Sequence, residues 1–408
     1  MKKILYITYD GLTDPLGSSQ ILPYLVELSK KGHQIHIISC EKIERFDKNK
    51  EKIDAIVKKN NLTWHPLSYH KNPPILSTVF DAWNIYRLAQ KLHAQYHFHA
   101  THCRSYISSL VGLSLLKKNK LPFIFDMRGF WADERVDGNL WNLKNPLYLL
   151  VYRYFKKKEM EFLRYSHHTI SLTHLGKAEI ERWVKKEKFQ PKITVIPCCV
   201  DLQKFSWQTV KEEEQEALRK KYSWKKTDTL VVYLGSIGTW YLLEEMLDFF
   251  TCLQKNNPQA KLLFLTPDNP NVIRDKALAR GIEEKSLTIT MAAHHEVPQF
   301  LSLSNLGLFF IKPSYSKKSS SPTKLAEILG MGVPVIANSN VGDANWIFEN
   351  FSIGLLIHAF TSQEYERIVA ELPKLKDLSK QKIRSAAEEY FSLHDGAEKY
   401  HHIYESLP

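Results

Sequence analysis

The chain has 408 residues, 44% of them hydrophobic and 25% charged, with a formal net charge of +12; its mean hydropathy is -0.32 and its pI about 9.2. That length exceeds one ordinary core and favours two domains of comparable size with a cleft between them. No apolar run approaches the roughly 18 residues that span a bilayer, and residues 4–7, behind Lys2 and Lys3, are too short for a signal-peptide core. An integral membrane protein is therefore excluded, and the cytoplasm is the expected compartment.

Along the first half, short apolar runs at 4–7, 35–39, 123–126, 169–172 and 193–196, with a weaker one at 100–103, alternate with longer amphipathic stretches. That alternation predicts a parallel sheet covered by helices on both faces. The pattern breaks at Pro197-Cys198-Cys199-Val200-Asp201 and in the charged stretch 210–226, then restarts at 230–234, 261–265, 287–290, 306–311, 333–337 and 354–357. Two doubly wound α/β domains in series are expected, over 1–205 and 206–387. Tyr400, Ile403, Tyr404 and Leu407 stand at helical spacing, and Asp395 suits the cap of that final helix.

Five cysteines (Cys40, Cys103, Cys198, Cys199, Cys252) at unrelated spacings form no CxxC pair. They read as reduced thiols rather than a zinc site or a disulfide framework. The run His97-Phe98-His99-Ala100-Thr101-His102-Cys103 lies where a strand sends neighbours to opposite faces, so it does not read as a metal site. His294-His295 and His401-His402 do not either. No GxxxxGK[ST] and no GxGxxG follows a strand, which argues against a P-loop NTPase and a nicotinamide enzyme.

The segment Ser321-Pro322-Thr323-Lys324-Leu325-Ala326-Glu327 carries the most chemistry. Ser321 suits a helix N-cap, Pro322 the first helical position, and Gly330 and Gly332 the stop before Val333-Pro334-Val335-Ile336. Such a helix start aims free backbone N–H groups at the carboxyl end of the preceding strand, where open α/β sheets bind anions. With Lys324 on a diphosphate and Glu327 accepting from a ribose diol, a sugar nucleotide would satisfy every group. A surface ion pair on a capped helix reads equally from the same residues.

This segment, with Gly330, Gly332 and the strand after it, resembles the donor site of the family-4 retaining glycosyltransferases. The resemblance spans nearly the whole chain: a glycine loop after the first strand (Asp14 to Ser19), Val195-Ile196-Pro197 with Val200-Asp201 and Phe205, Leu234-Gly235 opening the second domain, and a closing helix. It implies a GT-B fold, with two Rossmann-like domains facing across a cleft and the stretch 388–408 crossing back to the first. It also implies retaining transfer of a sugar from a nucleoside diphosphate to a glycan or lipid-linked acceptor, as in cell-surface polysaccharide synthesis, without a metal or other cofactor. Donor-binding positions carried over are Gly17, Gly235, Gly238, Thr239, Ser319, Ser321, Pro322, Thr323, Lys324 and Glu327.

The departures concern charge. Ser319 stands where the family usually has a glutamate, and Ser236 and Leu242 where it has an arginine and a lysine. The diphosphate is then left to Lys324, to the amides of Thr323 and Lys324, to the loop around Gly238 and Thr239, and to Lys317 or Lys318. On the acceptor side, Arg128 replaces a frequent histidine in Asp126-Met127-Arg128-Gly129-Phe130-Trp131, and Asp126, Arg128 and Glu134 are the catalytic candidates; an internal ion-pair network is the other reading of these carboxylates.

The aromatic and basic stretch 146–164 has the composition of an interfacial helix and would suit an anionic membrane surface, although a buried helix with a solvated basic end has the same composition. A sugar-nucleotide epimerase or hydrolase on the same fold is the nearest alternative activity. A nucleic-acid-binding protein is disfavoured because the aromatics follow strand and helix periodicity rather than interleaving with exposed cations. A non-catalytic scaffold gains only from Ser236, Leu242 and Ser319.

Overall fold

The computed structural model describes the whole chain, Met1 to Pro408, and it divides into two compact units. Seven parallel strands form the sheet of the first: Lys3–Thr8 (β1), Gln34–Glu41 (β2), Leu62–Ser68 (β3), Ala100–Arg104 (β4), Phe123–Asp126 (β5), His168–Ser171 (β6) and Ile193–Val195 (β7), in the order β3-β2-β1-β4-β5-β6-β7. Six parallel strands form that of the second: Thr229–Leu234 (β8), Ala260–Leu265 (β9), Leu287–Thr290 (β10), Leu306–Leu308 (β11), Val335–Asn338 (β12) and Gly354–Ile357 (β13), ordered β10-β9-β8-β11-β12-β13. Both are doubly wound Rossmann-like sheets.

Central strands read as continuous apolar runs because helices cover both faces. Ile4, Leu5 and Ile7 of β1 and Val231, Val232 and Tyr233 of β8 are fully buried. The strand order reverses direction between β1 and β4 in one sheet and between β8 and β11 in the other. At such switch points the loops leaving the two strands splay apart and open a crevice at the carboxyl edge.

The first unit comprises Met1–Pro197, Tyr315–Ser320 and Leu393–Pro408; the second comprises Cys198–Ser314 and Ser321–Ser392. The division thus falls after Pro197 rather than after residue 205. Val200 bridges Ser392, and Phe205 is buried in the second core. The stretch 388–392 likewise stays in the second unit, and the last helix, Leu393–Glu405, belongs to the first. Asp395 is inside that helix, in its first turn, rather than at its cap.

Three further local differences have physical causes. Strand β3 carries no apolar run, and as an edge strand it tolerates Pro66 opposite Ser39. The run 306–311 is strand only to Leu308; the Phe309 N–H still donates to Ile336 O at 3.1 Å, and the Ile311 N–H turns to Asn338 Oδ1 at 2.7 Å. Ser321 does not cap its helix: Pro322, extended at φ -69° and ψ 117°, is the N-cap of Thr323–Gly330. The Ser321 hydroxyl instead accepts from the Cys198 N–H at 3.1 Å.

Candidate functional site

In the second unit, the loop leaving β8 and the helix Thr323–Gly330, which follows β11, flank the switch point. Gly235 takes φ +96° and Gly238 φ +49°, the left-handed region that glycine enters without strain. A Cβ at Gly235 would stand 3.6 Å from Lys324 Nζ, so its backbone and the lysine head line one site. Asp268 fixes the loop: its carboxylate accepts from Ser236 Oγ at 2.9 Å and from the Ile237 N–H at 2.5 Å. Ser236 therefore serves the loop's shape, and Thr239 is exposed beside Gly238.

Lys324 is 7% exposed. Its ammonium lies 3.9 Å from the centroid of the Tyr233 ring and 3.4 Å from that of Tyr241, and Nζ has no hydrogen-bond acceptor. Burial pushes the Lys324 pKa well down, while the negative charges of Glu327 and Asp268 act the other way. Aromatic faces stabilise a cation but accept no conventional hydrogen bond. An ammonium with three donors at a helix N-terminus is thus set to receive an anion with several oxygens.

Glu327, one turn on and 7% exposed, accepts from or pairs with His294 Nε2 at 2.9 Å. Sequence reasoning dismissed His294 as a metal ligand and missed this contact. The only signal available was its place just after an apolar strand run, at the same sheet edge as Lys324. Pro322 and Thr323 supply the start of the helix, and Ser321 is fixed to Cys198 as described above.

The remaining candidates lie in the first unit, at the carboxyl ends of β1, β4 and β5. Asp126, the last residue of β5, is buried and accepts from Tyr400 OH at 3.1 Å; His102 Nε2 lies at 3.4 Å and Arg128 at 3.9 Å. Burial raises the Asp126 pKa, but Arg128, His102 and Arg104 outweigh it and hold the carboxyl below its ordinary value. Burial likewise lowers His102, whose Nδ1 lies 2.7 Å from Tyr404 OH. Arg128 adopts φ +56° and Gly129 φ +120°, a sharp turn that folds the arginine back beside Asp126. Arg104 pairs with Asp10 at 3.5 Å; the sequence pattern does not mark Arg104, and it marks Tyr400 only as part of the apolar face of the last helix.

Glu134 is paired with Lys317 at 2.6 Å and Lys318 with Glu179 at 2.9 Å. The two lysines expected on a diphosphate therefore neutralise carboxylates of the first unit. Ser319 also belongs there: its Oγ accepts from the Phe130 N–H at 2.9 Å and donates to Ser316 O at 3.0 Å. Gly17 is buried in the helix Pro15–Gln20, where a Cβ would meet Gly11 O at 2.2 Å. Its smallness lets the loop after β1 close on itself. Glu41 holds that loop, accepting from the Leu12 N–H at 2.7 Å and the Thr13 N–H at 3.1 Å.

One cluster offers three metal-ligand atoms within 4.8 Å: His33, His401 and Glu405. His33 Nδ1 accepts the Lys2 N–H at 3.2 Å, which puts the ring proton on Nε2, 2.8 Å from His401 Nδ1. Burial lowers the His33 pKa to about 4. The two rings share a hydrogen bond under the last helix, and a cation at His33 Nε2 would cost the Lys2 contact.

Two sequence profiles divide the chain between them: Glycosyl transferases group 1 matches residues 214–389, and Glycosyltransferase Family 4 matches residues 24–204. Among solved structures, a glycosyltransferase from Rickettsia africae ESF-5 superposes with a TM-score of 0.71 at 15% identity, over 100% of this chain and 98% of that one. Sucrose-phosphate synthase from Thermosynechococcus elongatus gives 0.73 at 14% identity, over 100% and 99%. Anabaena HepE in complex with UDP and glucose gives 0.69 at 13% identity, over 100% of both chains. Identities this low speak for a shared fold. Among curated proteins, none matches the sequence.

Proposed function

The chain belongs to the family-4 glycosyltransferases of GT-B fold, and on that premise we propose that it transfers a hexose from a nucleoside diphosphate to a glycan or lipid-linked acceptor with retention of anomeric configuration. The observation that carries the donor half is Lys324, a buried ammonium without a hydrogen-bond acceptor at a helix N-terminus. As the C1–O bond to the diphosphate breaks, the bonding pair leaves with the diphosphate oxygen, the acceptor hydroxyl oxygen bonds to C1, and its proton passes to the departing diphosphate. Lys324 and the amides of Thr323 and Lys324 meet that growing charge, and Glu327 orients the ribose. Because these groups carry the charge, the reaction is proposed to proceed without a metal, and activity should survive EDTA.

The first unit would serve the acceptor, with Asp126, Arg128 and Glu134, the last tied to Lys317, as its proposed catalytic groups. A membrane-displayed acceptor for surface polysaccharide suits this unit's outer helices. Pro146–Tyr165 exposes Leu147, Leu150 and Tyr154 beside Arg153 and Lys157, and Leu76–Tyr96 exposes Leu76, Val79, Phe80 and Trp83. No helix is long and apolar enough to cross a membrane, so attachment would be peripheral, and flotation with anionic liposomes should be lost at high salt.

The donor assignment is tested by thermal shift with UDP, GDP, ADP and their sugar conjugates. UDP leads because HepE was solved with it. Wild type should be stabilised by one nucleotide at millimolar concentration, and Glu327→Ala should lose that shift while melting as a folded protein. No stabilisation by any of them would reject the reading.

A further inference from the structure

His294 is the unassigned side chain whose position says most. It sits in the short connection between β10 and the helix Val297–Leu303, at the carboxyl edge of the second sheet. That connection has a fixed shape: the Ala293 N–H donates to the Glu296 carboxylate at 2.7 Å, and Pro298 stands in the first turn of the helix that follows. The imidazole leans on Phe205, ring centroids 5.3 Å apart, and reaches Glu327 Oε1 at 2.9 Å. It is half-exposed while the carboxylate is buried. It therefore covers the solvent side of the one carboxylate expected to read a ribose.

A carboxylate offers about four lone-pair directions, of which His294 uses one. Two ribose hydroxyls can still donate to Glu327 with the imidazole in place, so nucleotide and histidine need not compete. A glutamate side chain has several rotamers, and holding one of them costs conformational entropy. The imidazole N–H, itself fixed against Phe205, holds the carboxylate in one orientation before the ligand arrives. Preorganisation of this kind strengthens binding without adding a contact to the ligand.

We propose that His294 is a positioning residue for nucleoside recognition, acting through Glu327 on the ribose diol rather than on the diphosphate or the sugar. The inference rests on the assignment of Glu327 to the ribose. It makes His294 a determinant of ribose over deoxyribose, because a ribose offers two hydroxyls to the oriented carboxylate where a deoxyribose offers one. Its effect belongs in donor affinity and KM, with kcat for bound donor little changed.

The test is calorimetric titration of full-length wild type, His294→Ala, His294→Gln and Glu327→Gln with UDP, GDP and ADP and with dUDP, dGDP and dADP. For the ribonucleotide that binds, His294→Ala should lose about tenfold in affinity, the scale of a hydrogen bond to a charged group. Its deoxy counterpart should change less than about threefold, and His294→Gln, which keeps an N–H donor, should recover part of the loss. Unchanged ribonucleotide affinity in His294→Ala, or an equal loss for ribo and deoxy forms, overturns the proposal while leaving Glu327 in place. If Glu327→Gln binds as wild type does, or no nucleotide binds wild type, the ribose assignment itself has failed and the proposal with it.

Discussion

The two units hold buried charge in different surroundings. In the first, Asp126 lies 3.9 Å from Arg128 and accepts from Tyr400, though Asp126 Oδ1 and Arg104 Nε have no hydrogen-bond partner, and Lys317 pairs with Glu134. In the second, Lys324 is buried between two tyrosine rings with no hydrogen-bond acceptor. Charges that face an opposite charge shape a unit and orient its loops. An unsatisfied one costs stability, and a fold retains such a cost where a ligand offsets it.

The largest effect that would sharpen this contrast is on the first unit's stability. Asp126→Ala strands the positive charge of Arg128 and Arg104 and removes the acceptor of Tyr400. It should destabilise the fold by about 3–5 kcal/mol, read as a fall in urea midpoint at unchanged m-value. A loss below about 1 kcal/mol would mean that these charges do not support one another.

Next comes the opposite experiment in the second unit. Lys324→Met keeps the aliphatic stem and removes the desolvated head, so the free protein should gain about 1 kcal/mol. Nucleoside diphosphate affinity should fall about thirtyfold or more, as when one member of a buried charge pair is deleted. A variant that loses both stability and binding would show that the ammonium is structural. Because the lysine pKa is pushed down in the free protein and a diphosphate would raise it, binding should take up a proton, and affinity should decline as pH rises through that interval.

The last prediction concerns acid. Burial lowers His33, His36 and His168 to about 4 each and lowers His102 too; all four belong to the first unit. Neutral in the fold, they take up protons only on unfolding. Stability is therefore full above the ordinary histidine value of about 6.5 and is lost as pH falls toward 4. Hydrogen exchange at pH 7 and pH 5 should show protection falling in strands β1 to β7 before β8 to β13. A uniform loss across both sheets would break the comparison.

Sequence alone determined the local elements and one chemical segment of this protein. The apolar runs of central strands announce themselves because a parallel strand is buried on both faces, and Thr323 to Gly330 is legible as a helix from Pro322 at its start and the glycines Gly330 and Gly332 at its end, although the cap falls on Pro322 rather than Ser321. Strand β3 was invisible for the converse reason: an edge strand needs neither a continuous apolar run nor freedom from proline. Only the tertiary structure decided which charges meet. Lys317 finds Glu134 183 positions away, Tyr400 finds Asp126 across 274, and His294 finds Glu327 across 33. Periodicity fixes which face of an element is buried within a few residues. Pairings among loop side chains depend on which loops the strand order gathers at a carboxyl edge, and that order is a property of the whole sheet.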